Sequence, residues 1–182
     1  MEKLELKHIA PYLPYRLKCL IPKHSLKFGQ QYVLPVNGAS IDSYGLLNIE
    51  FILPDDDLLF SNQLKWVKPL LRPLSDLTQE IEHNGERFVP IIELFKLHNK
   101  NDFRVFPYSE NYELDHYSHC VIYDDKNIFG YSNHGSFVGF TPGYCNFLIL
   151  NQIELIEKLY EWHFDVFELI DKGLAIRKER GV

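Results

Sequence analysis

Residues 151–173 read NQIELIEKLYEWHFDVFELIDKG and carry the strongest helical signal in the chain. At 100° per residue, Glu154, Glu157, Lys158, Glu161, Asp165, Glu168 and Lys172 fall on one narrow polar stripe. Apolar side chains, from Leu155 to Ile170, cover the rest of the circumference. Asn151 and Glu154 have capping-box spacing, and Gly173 supplies a stop. The pattern predicts a helix over 152–172 that is nearly surrounded by protein. Trp162 and Phe164 then read as core. His163 lies in the apolar arc, where a bond to a backbone carbonyl is expected. Asp165 falls on the polar side.

Upstream, the apolar period shortens. Arg16 to Ile21, Tyr32 to Val36, Tyr44 to Leu53 and Leu64 to Val67 read as strands, with Asn37-Gly38 a turn between the second and third. Pro11 and Pro14 exclude a regular helix interior near the start. Ser75 can cap a helix over Asp76 to Glu82 that Asn84-Gly85 stops, and Pro90 suits the first turn of a second helix, Ile91 to Leu97. Phe103, Val105 and Phe106 suggest a short strand. Cys120 to Tyr123, Ile128 to Tyr131 and Phe137 to Phe140 read as a meander of three short strands joined by Gly, Asn and Asp. The expectation is an α+β fold in one domain, 1–182. It comprises a β-rich part over 1–67, a helical link over 74–97, a meander over 118–141 and the 152–172 helix. The sheet or half-barrel of short antiparallel strands should pack on that helix.

Charge is segregated along the chain. The 182 residues carry a net charge of −6, yet residues 1–31 hold six Lys or Arg against two Glu. From Phe28 to Leu64 there are five acids (Asp42, Glu50, Asp55, Asp56, Asp57) and no Lys or Arg. From Val105 to Asp125 there are again five acids (Glu110, Glu113, Asp115, Asp124, Asp125) and no Lys or Arg. An acidic balance argues against a general nucleic-acid coat, which needs a basic face to displace counterions. The acidic stretches fit a face that meets a basic protein surface. Cys19, Cys120 and Cys145 are widely spaced and form no disulfide framework, so a cytoplasmic setting is expected. No apolar run approaches the length of a membrane span or signal segment.

Three blocks of sequence are distinctive. They are Lys7-His8-Ile9-Ala10-Pro11-Tyr12-Leu13-Pro14-Tyr15, Lys68-Pro69-Leu70-Leu71-Arg72-Pro73-Leu74-Ser75-Asp76-Leu77, and Glu161-Trp162-His163-Phe164-Asp165-Val166-Phe167 with the Leu169 to Ile176 segment after it. On these blocks, about a third of the chain, the sequence resembles a set of small proteins encoded by phages and prophages of Bacteroidetes. That set has no agreed biochemical activity. Arg16 stands where the set tends to have Gly. The resemblance implies a mobile genomic setting and carries over no catalytic residue.

No constellation in the sequence names a reaction. Asp115, His116, His119 and Cys120, with Asp124 and Asp125, are the best metal candidates, but a His-Glu-x-x-His motif and a second Cys at ligand spacing are both missing. A polar loop running into a strand with a buried Cys120 explains them more simply. The Gly residues from 130 to 143 lead into no helix with Lys-Ser/Thr and read as hairpin turns. Asp55, Asp56 and Asp57, after Pro54, form an exposed acidic turn. Tyr108, Tyr112 and Tyr117 offer the ring type favoured at interfaces.

The reading that follows is a non-enzymatic interaction protein with no cofactor. Its expected partner is a host protein or ribonucleoprotein complex, met through Asp55, Asp56, Asp57, Tyr108, Tyr112 and Tyr117. An inhibitor of host defence, acting as anti-CRISPR proteins do, fits the implied setting. Direct nucleic-acid binding and membrane association are not expected, and a homo-oligomer is compatible with the reading. The alternatives are a metal-dependent hydrolase using the 115–125 cluster, and a small β-barrel that binds RNA through the basic N-terminal segment.

Overall fold

Alternation of apolar and polar residues builds the first sheet. In the computed structural model, which describes residues 2–22, 31–53, 59–99, 105–107, 117–123, 127–132, 134–141 and 147–179, the fold is α+β. For residues 105–107, 117–119, 121–123 and 147–148 the backbone alone is described. The chain divides into two compact units, one of residues 1–72 with 160–178 and one of residues 73–159 with 179–182.

The first unit opens with a short helix α1 (Leu6–Ile9) and a 3-10 helix, Ala10–Tyr15. Pro11 sits at the head of that 3-10 helix, where its missing N–H leaves no bond unmade. Arg16 ends it in the left-handed conformation, φ 56°, the region glycine favours. The strands β1 (Lys18–Ile21), β2 (Tyr32–Ile41), β3 (Leu47–Ile52), β4 (Leu59–Gln63) and β5 (Lys68–Leu71) follow. With β13 (Ile176–Arg177) they form one sheet in the order β13-β5-β1-β2-β3-β4. All neighbours are antiparallel except β13, which runs parallel to β5. The inward face contributes Leu17, Cys19, Ile21, Leu34, Val36, Ile49, Phe51 and Leu71 to a core closed by Ile9, Tyr12, Leu169 and Ala175. Burying one such Leu, Ile or Phe side chain stabilises by roughly 1.5–3 kcal/mol.

In the second unit a 3-10 helix, Leu74–Thr78, leads into the hairpin β6 (Ile81–His83) and β7 (Glu86–Phe88). Helix α2 (Pro90–His98) follows, with Pro90 in its first turn as the sequence implies. Strands β8 (Val105–Pro107), β9 (Tyr117–Tyr123), β10 (Asn127–Ser132), β11 (Phe137–Phe140) and β12 (Phe147–Leu148) make an antiparallel sheet in the order β12-β11-β10-β9-β8. Phe95, Phe129 and Phe137 form its aromatic core, with centroids 5.6 Å apart at each step. Gln152 extends that sheet with a side chain. Its Oε1 accepts from Phe137 N at 2.8 Å, and its Nε2 donates to the Phe137 carbonyl.

Four expectations are corrected. The helix over 152–172 is shorter: α3 spans Gln152–Glu161, and turns replace it from Trp162 onward. His163 has φ 62°, which no helix interior accepts. Asp165 is buried, not on a polar stripe, and its carboxylate accepts from Leu169 N at 2.9 Å and Ile170 N at 2.7 Å. Those side-chain bonds replace helical ones, which is why Asp competes with helix. At the head of α3, Asn151 Nδ2 donates to Glu154 Oε2, so the pair bonds side chain to side chain.

The second correction is the helix over Asp76 to Glu82, which is a 3-10 turn followed by β6. Asn84 (φ 53°) and Gly85 (φ 84°) close the β6–β7 hairpin, so this Asn-Gly is a strand reversal and not a helix stop. Third, Asn37-Gly38 is no turn. It is a bulge within β2, and Gly38 lies under Glu50, whose Oε2 a Cβ would meet at 2.9 Å. Fourth, Leu64–Trp66 is a 3-10 turn and not a strand.

His163, Trp162 and Phe164 are buried as expected. His163 Nε2 donates to the Tyr15 carbonyl at 2.9 Å. Trp162→Ala is therefore expected to lower unfolding stability by about 3–5 kcal/mol in urea denaturation. Asp165→Ala strands two backbone donors and should cost about 2–3 kcal/mol, whereas Asp165→Asn keeps one acceptor and should cost about 1 kcal/mol. Equal losses from both substitutions would show that the carboxylate does not hold the turn.

Candidate interaction surface

The acidic stretch folds into the hairpin of β2 and β3, whose tip is residues 42–46. Asp42 organises that tip. Its Oδ1 accepts from Tyr44 N and Leu46 N at 2.9 Å each, and its Oδ2 accepts from Asn48 Nδ2 at 3.2 Å. Gly45 N donates to the Asp42 carbonyl at 3.0 Å, closing a four-residue turn with Gly at its last position. Led by the Leu46 N–H, these bonds hold the Asp42 carboxyl below the usual carboxylate range, so it stays ionised at neutral pH.

A turn fixed in this way presents apolar groups to solvent. Tyr44 is 87% exposed and Ile41 72% exposed. Ile41 pairs with Leu47 across the hairpin. Leu46 and Leu47 line an open groove of about 340 Å³ with Leu4, Leu6 and Leu64, edged by Glu5, Gln63 and Lys65. Trp66, next in the chain, is 45% exposed, and the Lys65 ammonium lies 5.1 Å from its ring centroid. Glu5 at the groove's edge is paired with Lys7 at 2.9 Å. Contiguous exposed apolar groups with an aromatic at the tip mark a contact surface, because leaving them in water is unfavourable.

Asp55, Asp56, Asp57, Tyr108, Tyr112, Asp115, His116, Asp124 and Asp125 are outside the described residues. Tyr117 and His119 lie in β9, opposite Ser132 and Tyr131. Cys120 is buried, and burial pushes its thiol up to about 11, well away from a thiolate at neutral pH. Among the described residues no three His, Cys, Asp or Glu side chains gather as metal ligands would, and no helix is long and apolar enough to cross a membrane. The hairpin tip was missed because Tyr44 to Leu53 reads as one strand. Its signal was present: Asp42 and Gly45 hold the first and last turn positions that these residues favour.

No family model, no curated protein and no solved structure matches this chain.

One titrating group stands out in the first unit. Burial, with the nearby Arg72 and Lys18 charges, pulls the Lys178 ammonium down to about 8 from its ordinary 10.5. The unfolded chain therefore binds more protons than the folded one between these values, and stability rises with pH across that window. Below pH 8 both states are protonated and the buried charge is a full penalty. Lys178→Met should raise the melting temperature at pH 7 and abolish the gain between about pH 8 and 10.5. A wild-type melting temperature that is flat over that window would contradict the burial of this ammonium.

Proposed function

We propose that this chain is a non-enzymatic interaction protein of phage or prophage type. In this reading it binds a host protein or ribonucleoprotein complex in the cytoplasm and inhibits a host defence complex in the manner of anti-CRISPR proteins. The observation that carries the binding part is the Asp42-locked hairpin tip, which holds Tyr44 and Ile41 in solvent beside the leucine-lined groove. A backbone already ordered at the tip loses little conformational freedom on docking, and aromatic residues are the type that dominates interfaces. The partner's chemistry follows from charge. Between Phe28 and Leu64 the chain has acids and no Lys or Arg, so a basic surface is favoured, and a nucleic-acid-binding channel is such a surface. The defence role rests on the sequence resemblance. Self-association is the other use of an exposed apolar surface, and light scattering on the purified protein separates the two.

The test is affinity capture from host lysate with wild-type protein and with Tyr44→Asp, both checked by thermal melting. The expected result is a nucleic-acid-binding host protein retained by the wild type and lost from Tyr44→Asp at unchanged melting temperature. Aspartate removes the exposed ring without adding a cation, so it takes away no attraction for a basic partner, and a loss reflects the missing apolar contact. Equal capture by both proteins would remove the hairpin from the reading, and capture of no such partner would remove the inhibitor reading.

A further inference from the structure

The outward face of the same sheet carries a second surface, basic in character. Registration places it. Lys18 pairs with Pro35, and Leu20 with Val33 and Lys68, so Lys18, Leu20 and Lys68 share one face of the sheet. Cys19 and Leu71 face the core, so this is the outward face. Leu70 follows two residues after Lys68 on that face, and Ile176 pairs with Leu70 in β13. Lys178, two residues beyond Ile176, joins it, its backbone N–H donating to the Leu71 carbonyl at 2.8 Å. The result is a half-buried apolar strip, Leu20, Leu70 and Ile176, set among the ammonium groups of Lys18, Lys68 and Lys178. Strands β1, β5 and β13 contain no Asp or Glu.

We infer that this face docks an acidic, apolar-containing segment of a protein, its carboxylates on the three lysines and its apolar side chains on the Leu20–Leu70–Ile176 strip. Charge complementarity selects an anionic occupant. The apolar strip selects among anionic occupants. A nucleic acid bound here would lay its bases on a surface without rings, since β1, β5 and β13 contain no aromatic residue, and base stacking is a main term in single-strand binding. An acidic segment with Leu, Ile or Phe at alternate positions satisfies both features. The lowered Lys178 value agrees with this assignment. Burial lowers it most and the Arg72 and Lys18 charges lower it further, and a bound carboxylate would offset those charges. The inference goes beyond the hairpin reading, since it names a different face and a partner of opposite charge.

The experiment pans a random displayed peptide library against the full chain. Enriched peptides are synthesised with a fluorophore and titrated by anisotropy. Three proteins are compared: wild type, Lys18→Glu with Lys68→Glu, and Lys18→Ala with Lys68→Ala. The expected peptides alternate Asp or Glu with Leu, Ile or Phe. Charge reversal should weaken them by about tenfold or more, and alanine by a smaller factor. Affinity should fall severalfold between about 50 and 300 mM salt. The alanine pair keeps the test valid if the reversed pair fails to fold. No enriched peptide, enriched peptides without acids, or equal binding by all three proteins would each overturn the inference. Oligo-dT that binds more tightly than the best peptide and displaces it would overturn it in favour of a nucleic acid.

Discussion

The first unit depends on how the chain is held where α3 ends. Arg72 N donates to the His163 carbonyl at 2.7 Å, and Asp165 N donates to the Arg72 carbonyl at 2.8 Å. Tyr12 Oη donates to the Phe164 carbonyl at 2.6 Å, and His163 Nε2 donates to the Tyr15 carbonyl at 2.9 Å. Four hydrogen bonds over three residues thus tie the segment after α3 to the 3-10 helix near the start and to the end of β5. These residues are buried, so each bond forms where water cannot replace it and its loss would strand a polar group. The left-handed φ of His163 is stabilised by these contacts on both sides, as a strained backbone must be. Asp165 then turns the chain so that Leu169 and Ala175 enter the core and β13 can lie along β5.

This clamp brings the ends of a long sequence separation together, and the sheet supports both surfaces described above. The core under β2 and β3 holds Leu34, Val36, Ile49 and Phe51 in place. With those inward residues fixed and the bulge at Asn37-Gly38 setting the shift, the pairing of β2 with β3 decides which residues face out. The hairpin tip inherits its orientation from that register, and Asp42 removes what freedom remains in the turn. On the other side, β13 adds only two residues to the sheet, yet they place Lys178 beside the end of β5. A short parallel strand of this kind has little stability of its own. It persists because Lys178 N and Ala175 N both find backbone acceptors, Leu71 and Leu169.

How much of this was legible in the sequence varied with the type of signal. The α+β class and the meander of β9, β10 and β11 followed from period-two apolar runs, which report burial on one face directly. The length of the last helix was not legible. A wide apolar arc describes any chain with apolar groups buried on several sides, and residues 162–165 and 169 are buried in a segment that has left the helix. Only the backbone at His163 and the carboxylate of Asp165 distinguish the two, and no periodicity encodes them. The Asn-Gly pairs show the same limit. At 84–85 the pair is a hairpin turn, and at 37–38 it is a bulge, since pairing with β3 continues beyond it. Both conformations suit Gly; the partner strand decides between them. The interaction surface was half legible. The acidic composition of 28–64 was plain, but the exposed apolar tip lay inside what reads as a continuous strand.

Charge segregation along the sequence becomes segregation across the sheet. Strands β2, β3 and β4 all fall within the stretch that has acids and no bases, and they are consecutive in the sheet. Strands β1, β5 and β13 come from three separate parts of the chain, and each carries a Lys or Arg with no acid. The order β13-β5-β1-β2-β3-β4 therefore runs from strands that carry Lys or Arg to strands that carry none, with Glu50 the one acid among them. Mixing the strands could have set Glu50, the one acid within β2, β3 and β4, opposite a Lys, with a small gain for that pair. Separation forgoes that gain and leaves a charge asymmetry across a single rigid element. In a field from a charged partner, such an element experiences a torque as well as an attraction, so orientation precedes contact. Apolar groups lie on both halves, Tyr44 and Ile41 on one and Leu20 and Leu70 on the other. Electrostatics can then select which half approaches, and apolar burial can hold it there once water is excluded.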